Sequence, residues 1–248
     1  MTYTLLMRLA GPMQSWGLQS RFSIRDTARE PTKSGVLGLV CAALGRSRDE
    51  PLDDLRALHM GVRVDREGRL RRDFHTARKV LVASNTPRQI ERGRPKLKDT
   101  EPSVRHFLAD AWFTVALSGP DRALLERIDR ALGAPHWPLS LGRKAFVPGW
   151  PVRILTPDGP LGVQDGDPLH HLRAFHDPLG EKAPALPKER WRFVLDAGVA
   201  GEDVEVVQIR MQPDDPVSFR SRRFLPRRVV VGYARPLAEE TVATEPGA

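Results

Sequence analysis

Apolar residues cluster along this chain in patterns typical of both strands and helices. Residues 2–10 (TYTLLMRLA) form an apolar run that predicts a buried strand, which GP at 11–12 ends. Residues 111–119 (AWFTVALSG) predict another buried strand. Residues 121–133 (DRALLERIDRALG) predict an amphipathic helix, because their four large apolar positions recur at helical spacing. The pattern therefore predicts a mixed α and β fold.

Between the strands predicted at 2–10 and 111–119, the sequence predicts a helix and a β-hairpin. PTKS at 31–34 is typical of a helix start, and GVLGLVCAALG at 35–45 predicts a short helix closed by its last glycine. Residues 60–77 alternate between apolar and polar, turn at Glu67-Gly68 and alternate again, which predicts a hairpin. The order through residue 133 approximates the split βαβ, ferredoxin-like pattern that RNA-recognition folds share.

Further strands are predicted after residue 150. PVRIL at 151–155 would complete the ferredoxin-like set. Residues 156–190 are rich in proline and glycine and predict a connection or a mobile lobe, and residues 236–248 predict a loose tail. Three more apolar stretches predict strands, at 191–197, 203–211 and 227–235.

The charge distribution favours a polyanionic partner. The formal net charge is +8 at pH 7, and lysines and arginines on one face displace counterions from phosphates. Residues 63–105 hold 13 Lys or Arg against 6 Asp or Glu, and residues 218–235 hold six arginines and no acid. The loop 19–33 adds further basic residues. Any one such segment is often only a solvated surface, but three of them around an RRM-like pattern favour nucleic acid.

The basic excursion at residues 78–105 interrupts the strand pattern. It has little apolar content, and a loop this long in a compact domain is usually functional or disordered. On an RNA-binding fold we expect it to lie across the nucleic acid as a clamp; the alternative is a disordered surface loop. In the loop 12–33, Trp16 is expected mainly to anchor the basic residues that follow it.

The sequence carries no motif of a cofactor, phosphate-binding or metal enzyme. GxSxG, P-loop and GxGxxG patterns are absent, so neither a cofactor nor a metal is expected. The single cysteine, Cys41, excludes an intramolecular disulfide and a cysteine-rich zinc site. His170, His171 and His176 lack the i, i+4 spacing that places two ligands on one helix face. The absence of a signal sequence and of a membrane-spanning run predicts a cytoplasmic protein.

Metal-free RNA cleavage is the competing enzymatic hypothesis. It needs a base for the ribose 2′-hydroxyl, an acid for the leaving oxygen and a cation for the developing charge. The sequence supplies suitable residue types but does not show whether any two converge. They are His75, His106 and His136, with Lys79, Lys98 or Lys144.

Several motifs resemble one family of CRISPR proteins. RLAGPMQSWG at 8–17, PTKSGVLGLVCAALG at 31–45 and LGRKAFVP at 141–148 resemble the CasD subunits of Cascade, the type I-E CRISPR RNA-guided surveillance complex. RDFHT at 72–76 and DAWFTVAL at 110–117 match in the same order and spacing. The resemblance covers roughly residues 3–150, and the segment 156–190 matches poorly.

The resemblance implies a RAMP-family fold and a role in antiviral defence. It implies an α+β architecture, with an RRM-like, ferredoxin-like N-terminal domain over residues 1–155, a long thumb insertion at about 78–108, and a smaller, mostly β C-terminal lobe over 156–248. It further implies a structural subunit, without catalytic activity, that holds the 5′ handle of the guide crRNA. Its implied partners are the adjacent backbone subunit, the large subunit and, through the complex, target DNA. Similar subunits in type I-C systems are pre-crRNA endoribonucleases. The alternative function that the resemblance implies is therefore metal-independent cleavage of pre-crRNA.

Ten basic or polar residues are the candidate RNA contacts. Backbone amides at the start of the 34–44 helix, with Lys33 and Ser34, would form a phosphate site. Arg143 and Lys144, in a glycine-flanked turn, would form a second. The others lie in the loop after Trp16 and along the implied thumb: Arg21, Arg25, Arg29, Arg78, Lys79 and Arg105.

Overall fold

Most strands of the chain belong to one large sheet or to a long arm beside it. The computed structural model describes residues 1–18, 23–82, 84–93, 95–179 and 189–237. The strands in these ranges are β1 (Tyr3–Ala10), β2 (Met13–Gln14), β3 (Ile24–Arg25), β4 (His59–Arg66), β5 (Arg69–Leu81), β6 (Leu97–Ala109), β7 (Trp112–Gly119), β8 (Leu155–Thr156), β9 (Gly159–Pro160), β10 (Val163–Asp165), β11 (Trp191–Asp196), β12 (Glu205–Ser218) and β13 (Arg223–Ala234). The helices are α1 (Lys33–Leu44), α2 (Asp53–Arg56), α3 (Pro87–Glu91), α4 (Arg122–Gly133) and α5 (Pro168–Ala174).

The central sheet has seven strands in the order β10-β1-β7-β4-β11-β13-β12. Every neighbouring pair is antiparallel. β7 lies between β1 and β4, and its register with β1 runs from Tyr3 opposite Gly119 to Ala10 opposite Trp112. The fold is therefore a strand-rich mixture of α and β, as the pattern of apolar residues predicts.

Both faces of the sheet are buried at β1, which explains why most residues of this strand are apolar. Leu5, Met7 and Leu9 pack in one core with α1 and α4. Leu6 packs on the other face with residues of α5 and with Trp191. An RRM binds RNA on its sheet; here α5 and neighbouring residues cover the sheet face opposite α1 and α4, so that face is not open to a ligand.

Two buried arginines hold this covering layer against the sheet. Arg8 on β1 donates from Nε to Asp177 Oδ2 at 2.6 Å. Arg63 on β4 donates from Nη1 to the carbonyl oxygens of Leu172 and Phe175 at 2.6 and 2.7 Å. A buried guanidinium is costly unless its donors find acceptors, so these bonds tie the segment around α5 to the sheet.

The predicted boundaries of α1 are confirmed by its caps. Thr32 Oγ1 accepts a hydrogen bond from the Gly35 amide at 3.2 Å at the first turn. Gly45 ends the helix with φ +73, in the left-handed region that favours glycine. The predicted helix at 121–133 is likewise confirmed, since Asp121 caps α4 through the Leu124 amide at 2.9 Å.

The hairpin predicted over residues 60–77 has the right strands but the wrong pairing. β4 pairs with β7 and β11 inside the central sheet, whereas β5 pairs with β6 from Arg69 opposite Ala109 to Leu81 opposite Leu97. β4 is buried along most of its length and β5 is exposed, so they suit different environments. We call the paired segment 69–109 the arm and residues 78–100 its outer part; the basic excursion at 78–105 lies within the arm.

The strand predicted at 151–155 is also wrong. Arg153 makes a single bridge with Met7, and β10 occupies the sheet edge beside β1 instead. Pro151 has no N–H to donate to a ladder, and the Arg153 side chain turns to Asp129 on α4 at 3.0 Å. These features end the pairing after one bridge.

The three strands predicted near the C-terminus are confirmed as β11, β12 and β13. β11 pairs with β4, so these strands continue the central sheet. The division into domains at residue 155 stays a prediction. The predicted tail lies, from residue 238 onward, outside the described residues. In the described ranges no helix has the length and apolar character needed to cross a membrane.

Candidate nucleic-acid interface

The loop that leaves β1 is anchored by a buried tryptophan. Trp16 is 1% exposed, and its Nε1 donates to Gln14 Oε1 at 3.2 Å. Gln14 in turn donates from Nε2 to the carbonyl oxygens of Leu9 and Ala111 at 3.0 and 2.8 Å. The Trp16 ring lies against Gly35 at the start of α1. These contacts fit the predicted anchoring role of Trp16.

A second loop packs against the first through a glycine. The Ser15 amide donates to the Leu141 carbonyl at 3.0 Å. Gly142 follows with φ +89, and a Cβ there would lie 1.7 Å from the Ser15 carbonyl oxygen. Only glycine fits this conformation and this close approach. The tight contact places Arg143 next to β3. There Arg143 Nη2 donates to the Arg25 carbonyl oxygen at 3.4 Å.

Three arginines converge in a cavity between these loops and the arm. Arg25 on β3 is the register partner of Arg105 on β6, and partners in a parallel pair point to the same face. Together with Arg143 they line a cavity of about 390 Å³ that also contains Asp26. We call it the arginine cavity. Arg105 Nε donates to Ser103 Oγ at 3.1 Å, which orients its guanidinium.

The electrostatics of the arginine cavity favour an anion. Burial lowers the pKa of the Arg143 guanidinium, and the neighbouring charges of Arg105 and Arg25 lower it further. Asp73 and Asp26 act in the opposite direction but do not cancel this effect. Arginine stays protonated in proteins, so three positive charges share this cavity, and Asp73 and Asp26 offset only part of their effect on Arg143. Guanidinium groups bind phosphate through paired charge-assisted hydrogen bonds.

A larger groove adjoins the arginine cavity along α1. It encloses about 980 Å³, and Gly142 lines both spaces. We call it the α1 groove. Its basic lining residues are Arg46, Arg48, Lys144 and Arg222. Its aromatic lining residues are Trp137, Phe219 and Phe224. No acidic residue of the described chain lines it.

The structure distributes the other predicted contacts between these spaces and more distant positions. Ser34 and Lys144 line the α1 groove. Arg78 and Lys79 are exposed on the outer arm. Arg29 lies apart, in a cavity that it shares with Glu30 and with Arg192, the ion-pair partner of Glu30. Arg21 lies outside the described residues.

The structure contradicts the predicted phosphate site at Lys33. Lys33 is 6% exposed, and its Nζ donates to the Arg56 carbonyl at 2.9 Å. Its backbone amide, the expected anion donor, already donates to Asp214 Oδ2 at 2.8 Å. Burial lowers the pKa of the Lys33 ammonium, although Asp196 opposes the shift. Lys33 is therefore a structural residue, because the protein supplies its own carboxylate at this helix start.

Two of the histidines considered for RNA cleavage, His75 and His106, do not share a surface. On the arm, His75 is opposite Ser103 and His106 is opposite Arg72. Ser103 and His106 are three positions apart on one strand, and side chains alternate between faces, so His75 and His106 point to opposite faces. In the described part of the chain, no group of three or more His, Cys, Asp or Glu could hold a metal ion.

Sequence reasoning missed part of the α1 groove. Arg222 lies in the arginine-rich segment 218–235, so the charge pattern indicated the region but not the residue. Arg48 follows α1 after only a few residues, and Trp137 follows α4; neither has a motif around it. The loop at 137–144 packs beside α1, and only this packing brings Arg48, Trp137 and Arg222 to the same groove.

Comparisons with known proteins identify the family. The chain matches the family model described as "CRISPR-associated protein (Cas_Cas5)" over residues 4–231. It is 37% identical over 190 residues to the "CRISPR system Cascade subunit CasD" of Escherichia coli (strain K12), over 71% of this chain and 78% of that protein.

Two solved structures are similar over nearly the whole chain. One, described as "Crystal structure of Cas protein", has a TM-score of 0.68 and 39% identity over 94% of this chain and 95% of that one. The other belongs to a "CRISPR RNA-guided surveillance complex", with a TM-score of 0.67 and 33% identity over 94% and 91% of the two chains. The resemblance that the sequence motifs carry is confirmed. The chain belongs to the Cas5 family of CRISPR-associated proteins.

Proposed function

We propose that this chain is an RNA-binding structural subunit of a cytoplasmic Cascade complex, where it holds the 5′ handle of the guide crRNA. The relative named as a Cascade subunit and the similar chain from a surveillance complex support this role. The net charge of +8 supports a nucleic-acid partner.

The observation that carries the proposal is the arginine cavity. Arg25, Arg105 and Arg143 line one space that holds Asp26 as its acidic lining residue. The cavity lies near the base of the arm, since Arg105 pairs with Asp73 close to the end at which Arg69 is opposite Ala109. A single-stranded handle exposes phosphates and base edges together. In this proposal the three guanidinium groups bind its phosphates, and the arm crosses the RNA from there.

The sheet order supports a ferredoxin-like unit within this fold. β7 lies between β1 and β4, and β10 lies beside β1 after α4 in the chain. This is the split βαβ arrangement expected of that unit. The unit then serves as a scaffold for the loops around the arginine cavity, because its own faces are covered.

Contacts with the adjacent backbone subunit and the large subunit, and through them with target DNA, also belong to the proposal. The sheet ends on β12, and Val207, Ile209 and Met211 of that strand are at least half exposed. Exposed apolar side chains on an edge strand are typical of a surface that a protein partner covers. This supports assembly with other subunits.

The test replaces the converging arginines and follows RNA binding at several salt concentrations. Arg105→Gln and Arg143→Gln are each expected to weaken binding of handle RNA. Each should also make the slope of log affinity against log salt shallower by about 0.7, the value for one lost phosphate contact on a single strand. Arg127→Gln, an exposed arginine on α4, is the control and should change neither quantity.

Two outcomes would contradict the proposal. Unchanged affinity and salt slope in both cavity variants would show that the arginine cavity does not bind the handle RNA. Cleavage of repeat RNA in the same reactions, with EDTA present, would favour the alternative of a metal-independent pre-crRNA endoribonuclease. We expect the RNA to be recovered intact, because His75 and His106 lie on opposite faces of the arm.

A further inference from the structure

We propose that the α1 groove is a stacking site for unpaired nucleobases of the same RNA, with Trp137 as its principal platform. This inference rests on the proposed function and deepens it. The arginine cavity would hold phosphates, and the adjoining α1 groove would hold bases. The two spaces meet at Gly142, so one RNA strand can occupy both.

Trp137 is exposed but rigidly placed. Its side chain is 42% exposed on the wall of the groove. Its backbone amide donates to the Ala42 carbonyl at 3.1 Å, and the preceding His136 amide donates to the Ala43 carbonyl at 3.0 Å. The His136 ring meets the indole edge-to-face, with centroids 4.9 Å apart. A stacking platform loses little entropy on binding when it is already fixed in this way.

Two more aromatic rings line the groove. Phe219 and Phe224 flank the turn between β12 and β13, and both line the groove. Phe219 packs over Gly38 of α1, because a Cβ on that glycine would lie 3.7 Å from Phe219 Cζ. Aromatic rings from two separate segments of the chain therefore line one groove together with residues of α1, most of them small.

The charges around these rings match a nucleic-acid strand. Arg48, Lys144 and Arg222 line the groove and form no ion pair within the described residues. Arg46 is already bound to Asp54. An apolar peptide would bury three unpaired cations, which is costly. A nucleotide offers a ring face for the aromatic walls and a phosphate for the cations, and ring stacking tolerates any base.

The test compares single-stranded oligoadenylate of about ten nucleotides with an abasic chain of the same length. Trp137→Ala in the full chain is expected to weaken oligoadenylate binding by about 5- to 150-fold, the range for losing one stacked base. Binding of the abasic chain should not change, since it has only phosphates and sugars. Trp137→Phe keeps a ring and should restore most of the affinity. Leu155→Ala, at an exposed apolar residue of β8 that lines neither the groove nor the arginine cavity, is the matched control.

The outcomes separate the two proposals. Equal loss for both chains in Trp137→Ala, or no loss for either, would overturn the stacking site while leaving the arginine cavity intact. Absence of wild-type binding to both chains would overturn the proposed function itself. Phe224→Ala gives a second, independent measurement at another aromatic residue of the groove and should also weaken only the chain that carries bases.

Discussion

Gly35 and Gly38 lie three residues apart on α1 but meet different neighbours. A Cβ on Gly35 would lie 2.8 Å from Cε3 of the buried Trp16 ring and 3.0 Å from Thr32 Oγ1, whereas a Cβ on Gly38 would make ordinary contact with Phe219. Gly35→Ala should therefore lower the free energy of unfolding by about 1–3 kcal/mol. Gly38→Ala should raise it by up to about 1 kcal/mol, because alanine is the better helix former.

Urea unfolding of the two variants measures this difference directly. Because both variants carry the same substitution on the same helix, each one is the control for the other. Equal effects at both positions would show that the contact of Trp16 with α1 is not what requires glycine at residue 35.

Single residues could be predicted where their role is local. Thr32 and Gly45 cap α1 through neighbours on the same turn, so PTKS and the closing glycine were sufficient signals. Lys33 stands next to Thr32, yet its role depends on Asp214, which is 181 residues away. No local pattern indicates that a distant carboxylate occupies the helix start. The same holds for Arg25 and Arg105, which only strand pairing brings together.

The arm is an element whose outer part contributes no core. No described side chain between residues 79 and 99 is buried, and Arg78 pairs with Thr100 at the inner boundary. We expect replacement of residues 79–99 by Asn-Gly to leave the free energy of unfolding within about 0.5 kcal/mol of the parent chain. The change removes six basic and two acidic residues, so RNA binding should weaken on the order of tenfold or more at low salt.

Thermal unfolding and RNA dissociation are measured on the same protein in this test. Loss of cooperative unfolding would show that the outer arm is structural. Unchanged RNA dissociation would show that the arm does not touch the RNA. A control in which the six basic residues alone become glutamine separates charge from length.

Alternation of apolar and polar residues predicted most strands but not their partners. β4 and β5 are consecutive and joined at Glu67-Gly68, which is a sound hairpin signal. Gly68, between β4 and β5, has φ +72, and Asp110, between β6 and β7, has φ +58. Both connections between the arm and the sheet therefore contain a residue in the left-handed region. Whether a glycine turn pairs its two strands or separates them depends on the burial of β4 between β7 and β11, which is a property of the whole fold.

At the scale of the whole molecule, the central sheet joins the two halves of the chain. β4 comes from the first half and β11 from the second, and they are direct neighbours. Arg8 of β1 is held by Asp177, and Arg63 of β4 by the backbone around α5. The family motifs indicated the fold class and the basic composition indicated the type of partner. Neither could show that the C-terminal strands extend the first sheet, because sheet order is set by contacts between residues distant in sequence.

This continuity predicts that the full chain unfolds in one transition. Leu117 and Leu195 are both fully buried, but Leu117 lies in the core beneath α1 and α4 and Leu195 in the core beneath α5. Leu117→Ala and Leu195→Ala should each cost about 2–5 kcal/mol and lower the single Tm by about 4–20 °C. Calorimetry checks this, since the calorimetric and van't Hoff enthalpies agree for a two-state transition. Two transitions, with Leu195→Ala shifting only one of them, would instead show that residues 156–248 form a separate lobe.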